Sequence, residues 1–162
     1  MLTRVKRAKR GAAANGRFVI VASQYNGRYV DTMLEAAQAE LKRAGAKKAR
    51  VIRVPGAFEV PLVAARIARR AIQSSASDVS AIICLGVILR GETVHAAHIG
   101  ENVSRALMEI QMRYEIPVIH EVLLLENEGQ ARVRCLSKTH NRGAEAAQTA
   151  LVMARVVKSI SG

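Results

Sequence analysis

Three short stretches carry residue types able to do chemistry on a small polar ligand. They are Ser23-Gln24-Tyr25-Asn26, Val54-Pro55-Gly56-Ala57-Phe58-Glu59-Val60-Pro61 and Arg90-Gly91-Glu92-Thr93-Val94-His95. Each follows an apolar run and precedes a helical pattern, so each exposes backbone N–H groups at a strand-to-helix junction. Tyr25 and Phe58 offer aromatic faces, and Glu59 offers a carboxylate that can accept hydrogen bonds from a hydroxylated ligand. His95 supplies an imidazole that can move protons near neutral pH. The set suits a planar polar ligand and general acid–base catalysis. Plainer readings stand beside these: Glu59 also favours a helix dipole, by about 0.3–1 kcal/mol, and a His near a helix start can be purely structural. His98 leaves a metal pair with His95 geometrically open. No well-placed carboxylate or cysteine completes it, so no metal is expected.

A second cluster, Arg132, Arg134, Lys138 and Arg142, runs into Gly143. Such cations around a helix start can hold a phosphate, or can form a solvated basic loop. The cluster lies far along the chain from His95. Joining the two requires either the fold or a neighbouring subunit.

The elements that must place these residues alternate. Apolar runs over residues 18–22, 49–54, 81–89 and 117–125 read as strands. Helical patterns cover residues 29–44, stopped by Gly45, and 58–73, 97–114 and 142–159, the last capped by Asn141. Residues 74–78 read as a loop, and Glu126-Asn127-Glu128 opens a polar connection. Alternating strands and helices predict βαβ units: a four-stranded parallel sheet in a three-layer α/β/α sandwich of flavodoxin-like type. The carboxyl ends of parallel strands share one edge, so the three junctions should meet there. Strand order is not readable from the chain alone. Neither a Gly-x-x-x-x-Gly-Lys loop nor a Gly-x-Gly-x-x-Gly fingerprint is present, so nucleotide binding has no motif behind it.

Length and composition bound the rest. The 162 residues suit one domain, and with 3% aromatic residues and no Trp the core must be aliphatic. No apolar run is long enough to span a membrane. Cys84 and Cys135 lack zinc or redox spacing and read as reduced thiols, consistent with a cytoplasmic chain. Half of the net charge of +12 comes from Arg4, Lys6, Arg7, Lys9, Arg10 and Arg17, with no acid among residues 1–17. That segment reads as a flexible basic arm ahead of a single domain at 18–162. Only through this arm is nucleic acid a conceivable partner.

Four ordered segments then resemble the lumazine synthase family (6,7-dimethyl-8-ribityllumazine synthases). Residues 54–64 match its Pro-Gly-Ala-Phe-Glu stretch, and Ser23-Gln24-Tyr25-Asn26 resembles its Ser-Arg-Phe-Asn. Gly86-Val87-Ile88-Leu89-Arg90-Gly91-Glu92-Thr93-Val94-His95 is similar to its strand and Gly-x-Thr-x-His turn. Residues 134–147 resemble its C-terminal Arg-x-Gly-x-Lys-x-Gly-Asn-Lys-Gly-x-Glu-Ala-Ala. The resemblance covers roughly residues 18–160.

It implies condensation of 5-amino-6-ribitylaminouracil with 3,4-dihydroxy-2-butanone 4-phosphate to 6,7-dimethyl-8-ribityllumazine, releasing phosphate and water, with no cofactor. By resemblance, Tyr25 stacks on the pyrimidine beside Phe58, and Asn26 contacts it through the backbone. Ala57 and Glu59 hold the ribityl chain, while Ile88 and Leu89 offer backbone contacts to the ring. The Gly91-Glu92-Thr93 turn binds the phosphate, with Arg134 arriving from a neighbouring subunit and Lys138 in support. His95 transfers protons. The resemblance also implies a homo-oligomer built of pentamers. Departures are visible: Ala96 and Ala97 replace an aromatic and an acid, and His120-Glu121 replaces a Phe-Gly whose Phe lines the neighbouring subunit's pocket. Leu136, Thr139 and His140 replace Gly or small residues. The competing expectations are an archaeal-type riboflavin synthase and a non-catalytic, shell-forming or nucleic-acid-associated protein.

Overall fold

The computed structural model describes Arg7, Lys9, residues 16–73 and residues 79–160. Most of the expected arm at 1–17 and the expected loop at 74–78 lie outside the described residues. Four strands form one sheet: β1 (Arg17–Ser23), β2 (Arg50–Val54), β3 (Val79–Leu89) and β4 (Val118–Leu125). All pairings are parallel and the order is β2-β1-β3-β4. The expected three-layer sandwich of flavodoxin-like type is therefore what the chain forms. β1 and β3 leave the sheet centre in opposite directions, creating the switch point at which open α/β sheets bind ligands.

Helices α1 (Gly27–Arg43) and α5 (Arg142–Ile160) cover one face, and α2 (Val60–Gln73) and α3 (His95–Tyr114) cover the other. β3 is buried on both faces, so its apolar run needs no polar alternation. Ala81, Ile83, Leu85 and Val87 pack under α1 and α5, while Ile82, Cys84 and Ile88 pack under α2 and α3. The two free thiols divide the same way: Cys84 lies in the α2/α3 layer and Cys135 in the α1/α5 layer. Burial pushes the Cys84 thiol up to about 12 and that of Cys135 up to about 11.

α1 and α5 approach so closely that a Cβ at Gly143 would overlap the carbonyl group of Met33. Only glycine fits that crossing. α1 ends as its sequence requires, with Gly45 in the left-handed region (φ 83°) and Ala46 N–H donating to the Leu41 carbonyl at 3.0 Å.

One segment differs from expectation. The polar connection after β4 is helical: a short α4 (Glu128–Ala131) followed by a π-helical turn at Arg132–Leu136. Asn127 caps α4 by accepting from Gln130 N–H at 3.0 Å, and Ala131 and Cys135 are drawn into the core. A single helical turn buries too few residues to register as a period in the sequence.

Candidate active site

A cavity of about 700 Å³ opens at the carboxyl edge of the sheet, between the ends of β1, β2 and β3. Tyr25, Ala57, Phe58, Glu59, Ile88, Leu89, Gly91, Thr93 and His95 all line it, so the three sequence junctions do converge. A depression of similar size, about 720 Å³, runs along β2 and α2. Arginines and aliphatic side chains dominate its wall, with no acid or imidazole among the described residues, whereas the strand-end cavity holds both.

Each junction has a local cause. Asn26 takes the left-handed conformation (φ 57°, ψ 37°) that ends β1 and starts α1, and its Nδ2 donates to the Val87 carbonyl at 2.7 Å. Its side chain thus staples the first junction to the third, and Tyr25 is left 74% exposed at the mouth. At the second junction Pro55 and Gly56 end β2, and residues 57–59 form a 3₁₀ turn before α2. Glu59 Oε2 accepts from Gly56 N–H at 2.8 Å, which fixes the carboxylate at the cavity wall. The acid thus closes the helix start while remaining part of the cavity wall. At the third junction, β3 runs out at Leu89 and α3 opens directly at His95. Arg90, next to Gly91 in the chain, is not on the cavity wall and pairs with Glu126 through Nη1 at 2.8 and 3.1 Å.

Sequence reasoning missed Ile99 and Asn102, which line the cavity with His95 and His98. The signal was available: these four stand at i, i+3, i+4 and i+7 of α3 and share one helical face. Among the described residues no group of three His, Cys, Asp or Glu side chains could hold a metal ion.

The remaining named residues are not on the cavity wall. Asn26 and Glu92 flank it in sequence, but Arg134 and Lys138 belong to the segment beyond β4. The cavity lining contains no arginine or lysine at all among the described residues. The basic cluster itself divides. Arg132 pairs with Glu128 at 3.1 Å, and Arg142 pairs with Glu121 and Glu145 at 3.0 and 2.7 Å. Arg134 and Lys138 have no carboxylate partner among the described residues, and Arg134 makes only a long 3.5 Å contact to the Gln130 carbonyl. His120 stands on β4, facing α3. Its Nδ1 accepts from Val122 N–H at 3.1 Å and its Nε2 lies 2.7 Å from Ser104 Oγ. Burial pulls its pKa down, and the Val122 contact is one only the neutral ring can accept.

The profile of the family described as 6,7-dimethyl-8-ribityllumazine synthase matches residues 15–158. The chain belongs to this family. A 6,7-dimethyl-8-ribityllumazine synthase of Stenotrophomonas maltophilia (strain R551-3) is 37% identical over 148 residues, covering 90% of this chain and 92% of the relative. One from Thermus thermophilus is 36% identical over 147 residues, covering 90% of each. The lumazine synthase family consists of transferases of riboflavin biosynthesis, and this chain is one of those enzymes. No helix among the described residues is long and apolar enough to cross a membrane.

Proposed function

We propose that the chain is a cytoplasmic enzyme that condenses 5-amino-6-ribitylaminouracil with 3,4-dihydroxy-2-butanone 4-phosphate, forming 6,7-dimethyl-8-ribityllumazine and releasing phosphate and water. The observation that carries this is the cavity at the switch point, where aromatic, carboxylate, hydroxyl and imidazole groups converge from three strand ends. Tyr25 and Phe58 hold the pyrimidine by its faces, Glu59 accepts hydroxyl protons of the ribityl chain, and Ile88 and Leu89 meet the ring edge through their backbones. Asn26 sets the backbone path beside the ring.

The reaction is a series of proton movements. The aromatic amine adds to the ketone and water leaves. Phosphate is then eliminated to leave an enol, which tautomerises to a new carbonyl at the neighbouring carbon. The ribityl-bearing nitrogen attacks that carbonyl, and loss of a second water closes the ring. His95, at the mouth beside Gly91, Glu92 and Thr93, serves as the general acid and base for these steps. Holding two substrates together supplies much of the remaining acceleration.

A departing phosphate needs a permanent positive charge, and the described residues of the cavity wall offer none. Arg134 and Lys138, the two cations of their cluster without carboxylate partners, supply it from a neighbouring copy, with His120 at the same contact. This assigns the active form to a homo-oligomer built of pentamers, each site shared between two chains. The experiment is lumazine formation from the two purified substrates, followed by absorbance. Arg134→Ala should abolish most of the product, and a folded wild-type oligomer that makes none above background would overturn the reading.

A further inference from the structure

Glu121 stands in the middle of β4, opposite Leu85 of β3, on the face it shares with Ile119, Leu123 and Leu125. It is 8% exposed. A carboxylate in an aliphatic layer is costly unless paired. Its partner is Arg142, whose Nε donates to Glu121 Oε2 at 3.0 Å and whose Nη1 donates to Glu145 Oε2 at 2.7 Å. Arg142 is also out of place by itself, since a cation at the first residue of a helix opposes the helix dipole. The three charges fit only together, as a fixed link between the middle of β4 and the start of α5.

That link holds a closed loop. Asn141 Nδ2 donates to the Cys135 carbonyl, and Asn141 Oδ1 accepts from Gly143 N–H at 2.8 Å. Inside the loop, Ser137 Oγ accepts from Thr139 and His140 N–H at 3.2 and 3.1 Å. Lys138 rides on this loop and Arg134 immediately precedes it. Among the described residues the loop has one charged tie to the sheet, through Arg142 to Glu121.

We infer that Glu121 is a positioning residue for Arg134 and Lys138: by fixing Arg142 it sets the orientation in which those two cations meet the phosphate-bearing substrate. This rests on the phosphate role proposed above for Arg134. Among the described residues nothing else near Glu121 substitutes for the tie. β3 presents aliphatic side chains, and the π-helical turn presents Arg134 and the neutral Cys135 thiol. α4 presents Glu128, already paired with Arg132, and α5 presents only Arg142 and Glu145. Burial holds the Glu121 carboxyl at about 7, so the ionic form of the tie is complete only above neutrality.

The test compares wild type, Glu121→Gln, Glu121→Asp and Arg134→Ala. It reads the KM of each substrate and the inhibition constant of inorganic phosphate, at pH 6 and pH 8. Glu121→Gln should raise the butanone phosphate KM and the phosphate inhibition constant about tenfold at pH 8, the loss expected for one charge-assisted contact. The aminouracil KM should stay within about twofold. At pH 6 the difference from wild type should nearly vanish. Taking the ratio of the two proteins cancels the titration of phosphate itself and every other pH effect that both share. Glu121→Asp keeps the charge one methylene further back, so it should show a smaller rise with the same pH trend; it carries the test should Glu121→Gln fail to fold. An equal rise in both KM values, or a ratio indifferent to pH, overturns the positioning role. If Arg134→Ala weakens phosphate and Glu121→Gln does not, only the positioning role falls. An Arg134→Ala enzyme with unaltered phosphate affinity removes the phosphate reading and this inference with it.

Discussion

At the scale of single residues, two groups carry the proposals most directly. His95 stands at the first residue of α3, on the cavity wall. Removing its imidazole in His95→Ala should lower kcat on the order of 10²-fold, the usual worth of a positioned proton carrier, with little change in either KM. Steady-state kinetics at saturating concentrations of both substrates check this. Glu121 is the other group. Burial lifts its carboxyl from the ordinary 4.5 to about 7 in the folded chain, against the opposing pull of Arg142. A carboxyl with a raised folded pKa stabilises the fold at acid pH. That contribution is lost as pH rises from about 4.5 to about 7. For Glu121 the loss is on the order of 3 kcal/mol. Urea unfolding from pH 5 to pH 8 should therefore show wild type losing stability relative to Glu121→Gln across that window. A pH-independent gap between the two proteins would contradict it. His95 was legible in the chain as a residue type. The burial of Glu121 was not, because it depends on which face of β4 meets α5, and an edge strand with His120 and Glu121 side by side gives no clean alternation.

Among the elements, long and strongly periodic segments were readable, and the site followed from them. β1, β3 and α1 declare themselves through apolar runs and a Gly45 stop, and Asn141 does cap α5 as its type suggests. The helical turns at 128–136 were hidden because their register is set by Ala131 and Cys135 seeking the core rather than by any repeat. The convergence of the three junctions needed only parallel strands. That no arginine or lysine among the described residues lines this wall was not readable from the residues, which left open whether the fold or a neighbouring subunit joins the basic cluster to His95. The tightest element contact, Gly143 against Met33, gives a sharp expectation. In Gly143→Ala the new methyl would meet the Met33 carbonyl oxygen, so α1 and α5 must part. The cost should reach about 3 kcal/mol, a fall in Tm of roughly 6–12 °C for a chain of this size. Thermal unfolding followed by circular dichroism would measure it, and an unchanged Tm would mean that the crossing is not tight.

For the whole molecule, the proposed sharing of the site between chains has an arithmetic consequence. When His95→Ala and Arg134→Ala chains are dissociated, mixed one to one and reassembled, some sites draw His95 from one parent and Arg134 from the other. Random mixing restores about one quarter of the sites. Activity should rise to roughly that fraction of wild type, although each parent alone is nearly inactive. A mixture no more active than the average of its parents would place both residues in the same chain's site. The sandwich also carries two clocks of its own. Cys84 and Cys135 lie on opposite sides of one sheet, and burial suppresses the reactive thiolate of each. A disulfide reagent can reach one of them only when the layer above it lifts. The labelling rates of the two sulfurs, resolved by peptide mapping, would therefore time the opening of the α2/α3 layer and of the α1/α5 layer separately. Each half of the fold thereby reports its own breathing through a native sulfur, with no cysteine engineered in.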